Sequence, residues 1–264
     1  MAKIVFIGMG NMGQAMLKGL LSLYRKEDLA FTETDRQKAL SICESTGVAF
    51  VPDSRSLIKG ADYIICAVKP QVYESVYKNL EGWLEERQIF ISIAPGISIE
   101  SIKARLKGVR VLRAMPNTPA LVLEGMTALA YTDFLSREEE EEVAALFSAF
   151  GRYQRVEEKY MDAVVCISGS TPAYMYAFAE AIADTGLKLG LTKEDALLMV
   201  AQTMLGSAKM LLETGEHPSV LKDRVCSPGG TTIAALLALE EHGFNKAVQK
   251  AGEACYQRCL ELKK

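Results

Sequence analysis

The run Lys3-Ile4-Val5-Phe6-Ile7-Gly8-Met9-Gly10-Asn11-Met12-Gly13 constrains the fold more than any other stretch. An apolar segment rich in β-branched and aromatic residues leads straight into Gly-x-Gly-x-x-Gly. Met12, Ala15, Met16 and Leu20 then recur at helical spacing. Strand, tight turn and helix in that order are the setting a dinucleotide-binding turn requires. Gly8 permits the sharp turn, Gly10 lets the backbone approach a pyrophosphate, and Gly13 lets the helix pack closely on the strand. Free N–H groups and the positive end of the helix dipole then face the phosphates. Gly8, Met9, Gly10, Asn11, Met12 and Gly13 are therefore assigned to a nucleotide. An ordinary βα turn holding three glycines is the competing reading, and the context on both sides weighs against it.

The pattern continues as an alternation. Leu29–Glu33 reads as a strand, Arg36–Ser45 as a helix and Val48–Val51 as a short strand. A largely apolar strand, Ala61–Val68, follows, then helix Val72–Leu80, strand Gln88–Ala94, helix Ile99–Leu106 and strand Val109–Ala114. Strand–helix alternation of this length predicts an α/β domain built on a parallel, doubly wound sheet with right-handed crossovers. Met126–Tyr131 and Arg152–Val156 add strand-like segments around the helix Ser136–Phe150. The five consecutive acids Glu138–Glu142 read as a solvated first helical turn.

Past Glu158 no alternating strand remains. Helical runs are expected over Met161–Ile167, Pro172–Leu189, Lys193–Thr214 (with Thr192 as N-cap), Ser219–Val225, Gly230–His242 and Phe244–Lys263. Several are apolar well beyond one stripe, such as Leu197, Leu198, Val200, Met204 and Leu205, and such helices want a partner on each face. The expectation is a dinucleotide-binding domain over residues 1–158 and an all-helical, dimerising domain over residues 159–264.

Composition narrows the partners. The 264 residues carry a net charge of −3, so no basic face points to nucleic acid or an anionic membrane. No apolar run reaches the roughly 20 residues of a membrane span. With two histidines, and cysteines at 43, 66, 166, 226, 255 and 259 that form no CxxC pair, neither a disulfide scaffold nor a metal site is expected. Cys255 and Cys259 share a helix face as buried thiols. A reducing cytoplasm is the expected compartment.

Ligands in such sheets bind beyond the carboxyl ends of the strands. Ala67-Val68-Lys69-Pro70-Gln71, Ser92-Ile93-Ala94-Pro95-Gly96 and Met115-Pro116-Asn117-Thr118-Pro119 all fall there, with Ala94 placed near a nicotinamide. A second cradle is Ser227-Pro228-Gly229-Gly230-Thr231-Thr232, a turn that opens a helix and offers N–H groups and hydroxyls to a carboxylate. A capped helix start would look the same.

These stretches together resemble pyrroline-5-carboxylate reductases. The similarity runs over nearly the whole chain and is carried by IGMGNMG (7–13), AVKPQ (67–71), MPNTPAL (115–121), Ser168–Tyr174, AQTMLGSAKMLLETGEHPSVLKD (201–223) and SPGGTTI (227–233). The resemblance implies reduction of 1-pyrroline-5-carboxylate to L-proline by NADPH or NADH. It also implies a helical homodimer, in the family often assembled further into decamers. It assigns the substrate carboxylate to Ser227, Gly229, Gly230, Thr231 and Thr232. Thr232 is expected to hydrogen-bond the ring nitrogen and is the candidate proton donor. Ala67, Val68, Lys69, Pro70 and Ala94 would flank the cofactor.

Two departures stand out. Thr171 replaces a glycine common in the family, and a helix cap is the expected role. After the second strand, where bacterial relatives commonly place Asn-Arg against a 2′-phosphate, the chain has Glu33-Thr34-Asp35-Arg36. An acid at Glu33, 20 residues after Gly13, suits a free ribose 2′-hydroxyl, with Thr34 and Arg36 as its neighbours. NADH is therefore expected to serve at least as well as NADPH. A β-hydroxyacid dehydrogenase would want a lysine near residues 168–176, where Tyr174 and Tyr176 stand instead. A reductase of a six-membered imine and a non-enzymatic nucleotide sensor remain open at this point.

Overall fold

The computed structural model describes residues 2–131 and 135–262; the expected end of the last helix at Lys263 lies outside them. The strands are β1 (Ile4–Ile7), β2 (Leu29–Thr32), β3 (Ala49–Phe50), β4 (Tyr63–Cys66), β5 (Ile89–Ser92), β6 (Arg110–Met115), β7 (Gly125–Ala130) and β8 (Gly151–Arg155). They form one sheet in the order β3-β2-β1-β4-β5-β6-β7-β8. The α-helices are α1 (Asn11–Leu20), α2 (Arg36–Thr46), α3 (Ser54–Ile58), α4 (Tyr73–Leu80), α5 (Ile99–Arg105), α6 (Arg137–Ser148), α7 (Met161–Val164), α8 (Thr171–Lys188), α9 (Lys193–Thr214), α10 (Pro218–Val225), α11 (Thr231–Glu241) and α12 (Phe244–Glu261).

The central strands β1, β2, β4, β5, β6 and β7 are buried on both faces, as their apolar sequences require, while the edge strand β8 is largely exposed. Ile4 and Phe6 of β1 join Ile65, Ile91 and Leu112 in a core with α1 and α6 on one side. Val5 and Ile7 join Ile64, Phe90 and Val111 in a core with α4 and α5 on the other. This is the period-two alternation of a strand, with apolar residues in both phases. Pairing is parallel from β3 through β6.

Three features depart from the expected pattern. β7 runs antiparallel to β6, with Met115 opposite Ala128. The link between them holds only the short 3-10 turn Thr118–Val122, and a parallel return needs a crossover of a dozen residues or more. The third strand shrinks to two residues, and α3 follows it with Asp53 as N-cap, accepting from the N–H groups of Arg55 and Ser56. The single helix expected over Met161–Ile167 is α7 followed by a π-helical turn, Val165–Gly169.

The acidic run is also more than a solvated turn. Ser136 and Glu139 form a reciprocal capping box at the start of α6. Glu139 receives both guanidinium Nη atoms of Arg110 at 2.6 Å. Glu142 accepts from Lys3 at 2.8 Å and from the Tyr63 hydroxyl at 2.7 Å. Spacing of i, i+3 turns these two acids toward the amino ends of the strands, while their neighbours stay at the surface.

Two compact units emerge, Met1–Ser170 with Cys255–Lys264, and Thr171–Ala254. The second is wholly helical. Thr192 caps α9 by accepting from the Asp195 N–H, as expected, and Gly215 ends it with φ +64°. Its buried apolar side chains, among the described residues, are Ala183 and Ala196, whereas Leu198 is 70% and Leu205 57% exposed. These apolar helices leave much of their hydrophobic surface uncovered within one chain.

Phe147 is fully buried and meets Phe150 edge-on at 5.7 Å. Phe147→Ala should destabilise the sheet unit by about 3–5 kcal/mol, read as a lowered urea midpoint with an unchanged slope.

Candidate active site

The nucleotide turn is set by how closely two strand ends approach. Gly8 leaves β1 with φ +88°, and a Cβ there would lie 2.5 Å from Val68 Cγ1 and 3.2 Å from the Ala67 carbonyl. Conformation and space both exclude a side chain. A Cβ on Gly13 would reach the Gly8 carbonyl at 2.8 Å, so α1 packs on β1 only with glycine there. Gly10 is different: a Cβ would approach the Ala67 carbonyl only to 4.0 Å, leaving open space where a pyrophosphate would sit. Gly10 is also the N-cap of α1 and brings no capping side chain. The first-turn N–H groups of Asn11, Met12 and Gly13 thus stay available to an anion.

A cleft of about 410 Å³ opens in front of this turn. Gly8, Met9, Gly10, Glu33, Thr34, Ala67, Val68 and Lys69 all line it. The Met9 side chain is buried, so its backbone faces the cleft. Pro70 begins the 3-10 turn Pro70–Val72 just after Lys69 and borders a smaller cavity with Gln71, Pro95 and Gly96. Ala94, expected beside the nicotinamide, is 2% exposed and packs into the core on the α4–α5 side, so it does not line the cleft. Arg36 is exposed on the first turn of α2 and does not line the cleft.

Glu33 dominates the far end. Its carboxylate accepts from the Met9 N–H at 3.0 Å, from Lys38 Nζ at 3.0 Å and from the Thr34 N–H at 2.8 Å. The Thr34 hydroxyl donates to it as well, at 3.1 Å. Burial pushes this carboxyl up, but the Lys38 ammonium and the backbone donors of Met9 and Asp35 outweigh it and hold the pKa at about 2. A fixed negative charge therefore stands beside the glycine turn at any physiological pH. Lys38 was not anticipated; its position in the first turn of α2, five residues past Glu33, was the available signal.

Two further groups shape the rim. The buried Tyr73 hydroxyl lies 2.8 Å from Ser92 Oγ and donates to the Cys66 carbonyl at 3.2 Å, tying the carboxyl ends of β4 and β5 together. Only tertiary contact reveals that role. Asn117 accepts from the Met126 N–H at 2.8 Å and donates to the Ser168 carbonyl and hydroxyl at 3.3 Å, so the MPNTP rim is pinned to the start of the Ser168–Tyr174 stretch. Thr171 is the first residue of α8, and Ser170 before it is already in the right-handed helical region, because the π turn feeds directly into the helix.

In the helical unit, Ser227-Pro228-Gly229-Gly230 folds as a tight turn in which the Gly230 N–H donates to the Ser227 carbonyl at 3.0 Å. Proline second and Gly229 third at φ +68° make it type II. A side chain on Gly230 would collide with Ser227 Oγ. Gly230 then starts α11 without a side-chain cap, with Thr231 and Thr232 in its first turn. The result is a helix N-terminus with backbone donors and hydroxyls presented together, able to hold a carboxylate but lacking an acid–base pair.

Comparison with known proteins separates the readings left open above. A pyrroline-5-carboxylate reductase of Escherichia coli K12 is 39% identical over 266 residues, covering 99% of this chain and 98% of the relative. The chain belongs to the pyrroline-5-carboxylate reductase family. Residues 158–262 match the family described as pyrroline-5-carboxylate reductase dimerisation, and residues 3–96 match NADP oxidoreductase coenzyme F420-dependent. A solved pyrroline-5-carboxylate reductase from Coxiella burnetii, 34% identical, superposes with a TM-score of 0.92 over 100% of this chain and 99% of that one. A Plasmodium falciparum pyrroline carboxylate reductase with NADP bound, 31% identical, gives 0.88 over 100% and 98%. As in a member of this reductase family, the α/β nucleotide sheet and a helical dimerisation segment occur in one chain. No helix among the described residues is long and apolar enough to cross a membrane.

The low Glu33 pKa carries a stability consequence. Its native-state interactions stabilise the fold fully above pH about 4.5 and are lost as pH falls toward about 2. The melting-temperature gap between the parent chain and Glu33→Gln should be constant from pH 5 to 7 and narrow between about pH 4.5 and 3. A gap that widens on acidification would overturn this assignment.

Proposed function

We propose that this chain reduces 1-pyrroline-5-carboxylate to L-proline with NADPH or NADH, the closing step of proline synthesis. The observation that carries the proposal is full-length likeness to pyrroline-5-carboxylate reductases in a chain that also keeps both cradles, the glycine turn and the SPGGTT turn. Residues 1–158 are read as the nucleotide domain and 159–264 as the substrate-binding and dimerisation domain.

The bound reduced nicotinamide supplies the hydride. The chain's own residues bind and orient. The first turn of α1 holds the pyrophosphate, with Gly10 giving it room, and Ala67, Val68, Lys69 and Pro70 flank the cofactor. Ser227, Gly229, Gly230 and Thr231 hold the substrate carboxylate at the α11 N-terminus. Thr232 hydrogen-bonds the ring nitrogen, fixing the C=N carbon for attack and supplying a route for the proton. Such a reaction gains mainly from alignment and charge placement, because an imine protonates readily near neutral pH. The absence of an acid–base pair in the turn fits this chemistry.

Glu33 is read as the ligand of the adenosine ribose hydroxyls. A 2′-phosphate would meet its charge and would need Lys38 or Arg36 to compensate, so NADH is used at least as well as NADPH. The uncovered apolar faces of α9 and α11 support a homodimer through the helical unit, with assembly into a decamer as the larger form. Six cysteines present as thiols suit a reducing cytoplasm.

The test is loss of reduced-nicotinamide absorbance with pyrroline-5-carboxylate and each cofactor in turn. Turnover is expected with both, and none with either would overturn the reading. Glu33→Ser should raise kcat/KM for NADPH relative to NADH by about tenfold, equivalent to about 1.4 kcal/mol; an unchanged ratio would remove Glu33 from cofactor selection. Thr232→Val should lower kcat on the order of 10²-fold while nucleotide binding persists. A change confined to KM would leave Thr232 as a binding residue only.

A further inference from the structure

The end of α12 belongs to the sheet unit, and there it brings Cys255 and Cys259 against Cys166. The three sulfur atoms all lie within 4.8 Å of one another. Two come from one helix face at i, i+4 spacing. The third comes from the π turn Val165–Gly169, which is closed by the Ser170 N–H on the Val165 carbonyl at 2.8 Å. π turns of this kind concentrate at functional sites. The thiols are also oriented: Cys166 Sγ donates to the Asp162 carbonyl at 3.2 Å, and Cys255 Sγ lies 3.3 Å from Ser170 Oγ.

We infer that Cys166, Cys255 and Cys259 form a binding site for one thiophilic closed-shell cation of the zinc or copper(I) class. Zinc–sulfur bonds of about 2.3 Å place sulfurs about 3.8 Å apart in tetrahedral geometry. Closing around a cation therefore asks each pair to contract by no more than about 1 Å, within the reach of χ1 adjustments. Three sulfur donors and no oxygen or nitrogen ligand among them select soft cations over magnesium or calcium. The Ser170 hydroxyl is placed to donate to the Cys255 sulfur as an outer contact, whereas the Cys166 bond to the Asp162 carbonyl is given up when the thiol proton leaves.

Room and access are present as well. A cavity of about 160 Å³, bordered by Cys259, Asp162, Pro70 and Gly96, reaches the cluster from the carboxyl rim of the sheet. It offers space for a water or another small donor as a fourth ligand. Binding a cation displaces the thiol protons, so affinity rises with pH. Occupancy would cross-link α12 to the π turn beside Ser168, the residue that holds Asn117 at the rim.

Cadmium is the probe for the test, added to the reduced full-length protein. The expected result is one cadmium per chain, a thiolate-to-cadmium charge-transfer band, three thiols protected from a thiol reagent, and a raised melting temperature. Cys166→Ala and Cys259→Ser should each weaken binding about tenfold or more, while Cys43→Ser retains the band and the protection. The metal-free melting temperature of each variant reports its folding, and Cys259→Ala replaces any variant that fails that control. No band at stoichiometric cadmium, or a band that survives both cluster substitutions, would overturn the inference. Neither outcome depends on turnover of any imine.

Discussion

The close approach of β1 to the exit of β4 is the constraint on which the rest of the sheet unit depends. Where Gly8 passes Ala67 and Val68 there is no room for a Cβ, and where α1 leaves the turn there is none at Gly13. Those two contacts bring the N-terminus of α1 down onto the carboxyl edge of the sheet. Gly10, lying between them, opens a space instead of filling one. Three glycines thus act in different ways: one gives conformation and clearance, one allows helix packing, and one leaves open space in front of the turn.

Charge is distributed with the same economy. At the amino end of the strands, Lys3, Tyr63 and Arg110 are joined to Glu142 and Glu139, which fixes α6 across the sheet. At the carboxyl end, Glu33 is held ionised by Lys38 and by the backbone of the glycine turn itself. Because Glu33 accepts from the Met9 N–H, this carboxylate and the glycine turn are mechanically one object. A substitution at Glu33 acts on both.

Much of this was legible in the linear sequence because it is local. The strand–GxGxxG–helix unit, the alternation up to β6, the Thr192 cap and the Ser227–Gly230 turn each rest on residues within a few positions of one another. Positive φ at Gly8 and Gly229 follows directly from turn chemistry. What failed was equally specific. The antiparallel direction of β7 is not written in its sequence, because strand direction depends on the length of a connection and the apolar pattern is the same either way. The acids of α6 look solvated in the linear sequence because their partners, Lys3, Tyr63 and Arg110, are far away in it.

The sequence by itself determined the element types, the nucleotide turn, the acid at Glu33, the helix start after the Ser227–Gly230 turn and the family likeness, since each is written in short-range spacing and backbone preference. Tertiary structure alone decided that Lys38 neutralises Glu33, that Tyr73 joins the ends of β4 and β5, that Ala94 is buried in the core, and that Cys166 meets Cys255 and Cys259. The physical reason is common to all four. Burial, ion pairing and thiol clustering depend on distances between segments brought together by packing, and a linear chain carries no record of those distances until the core closes.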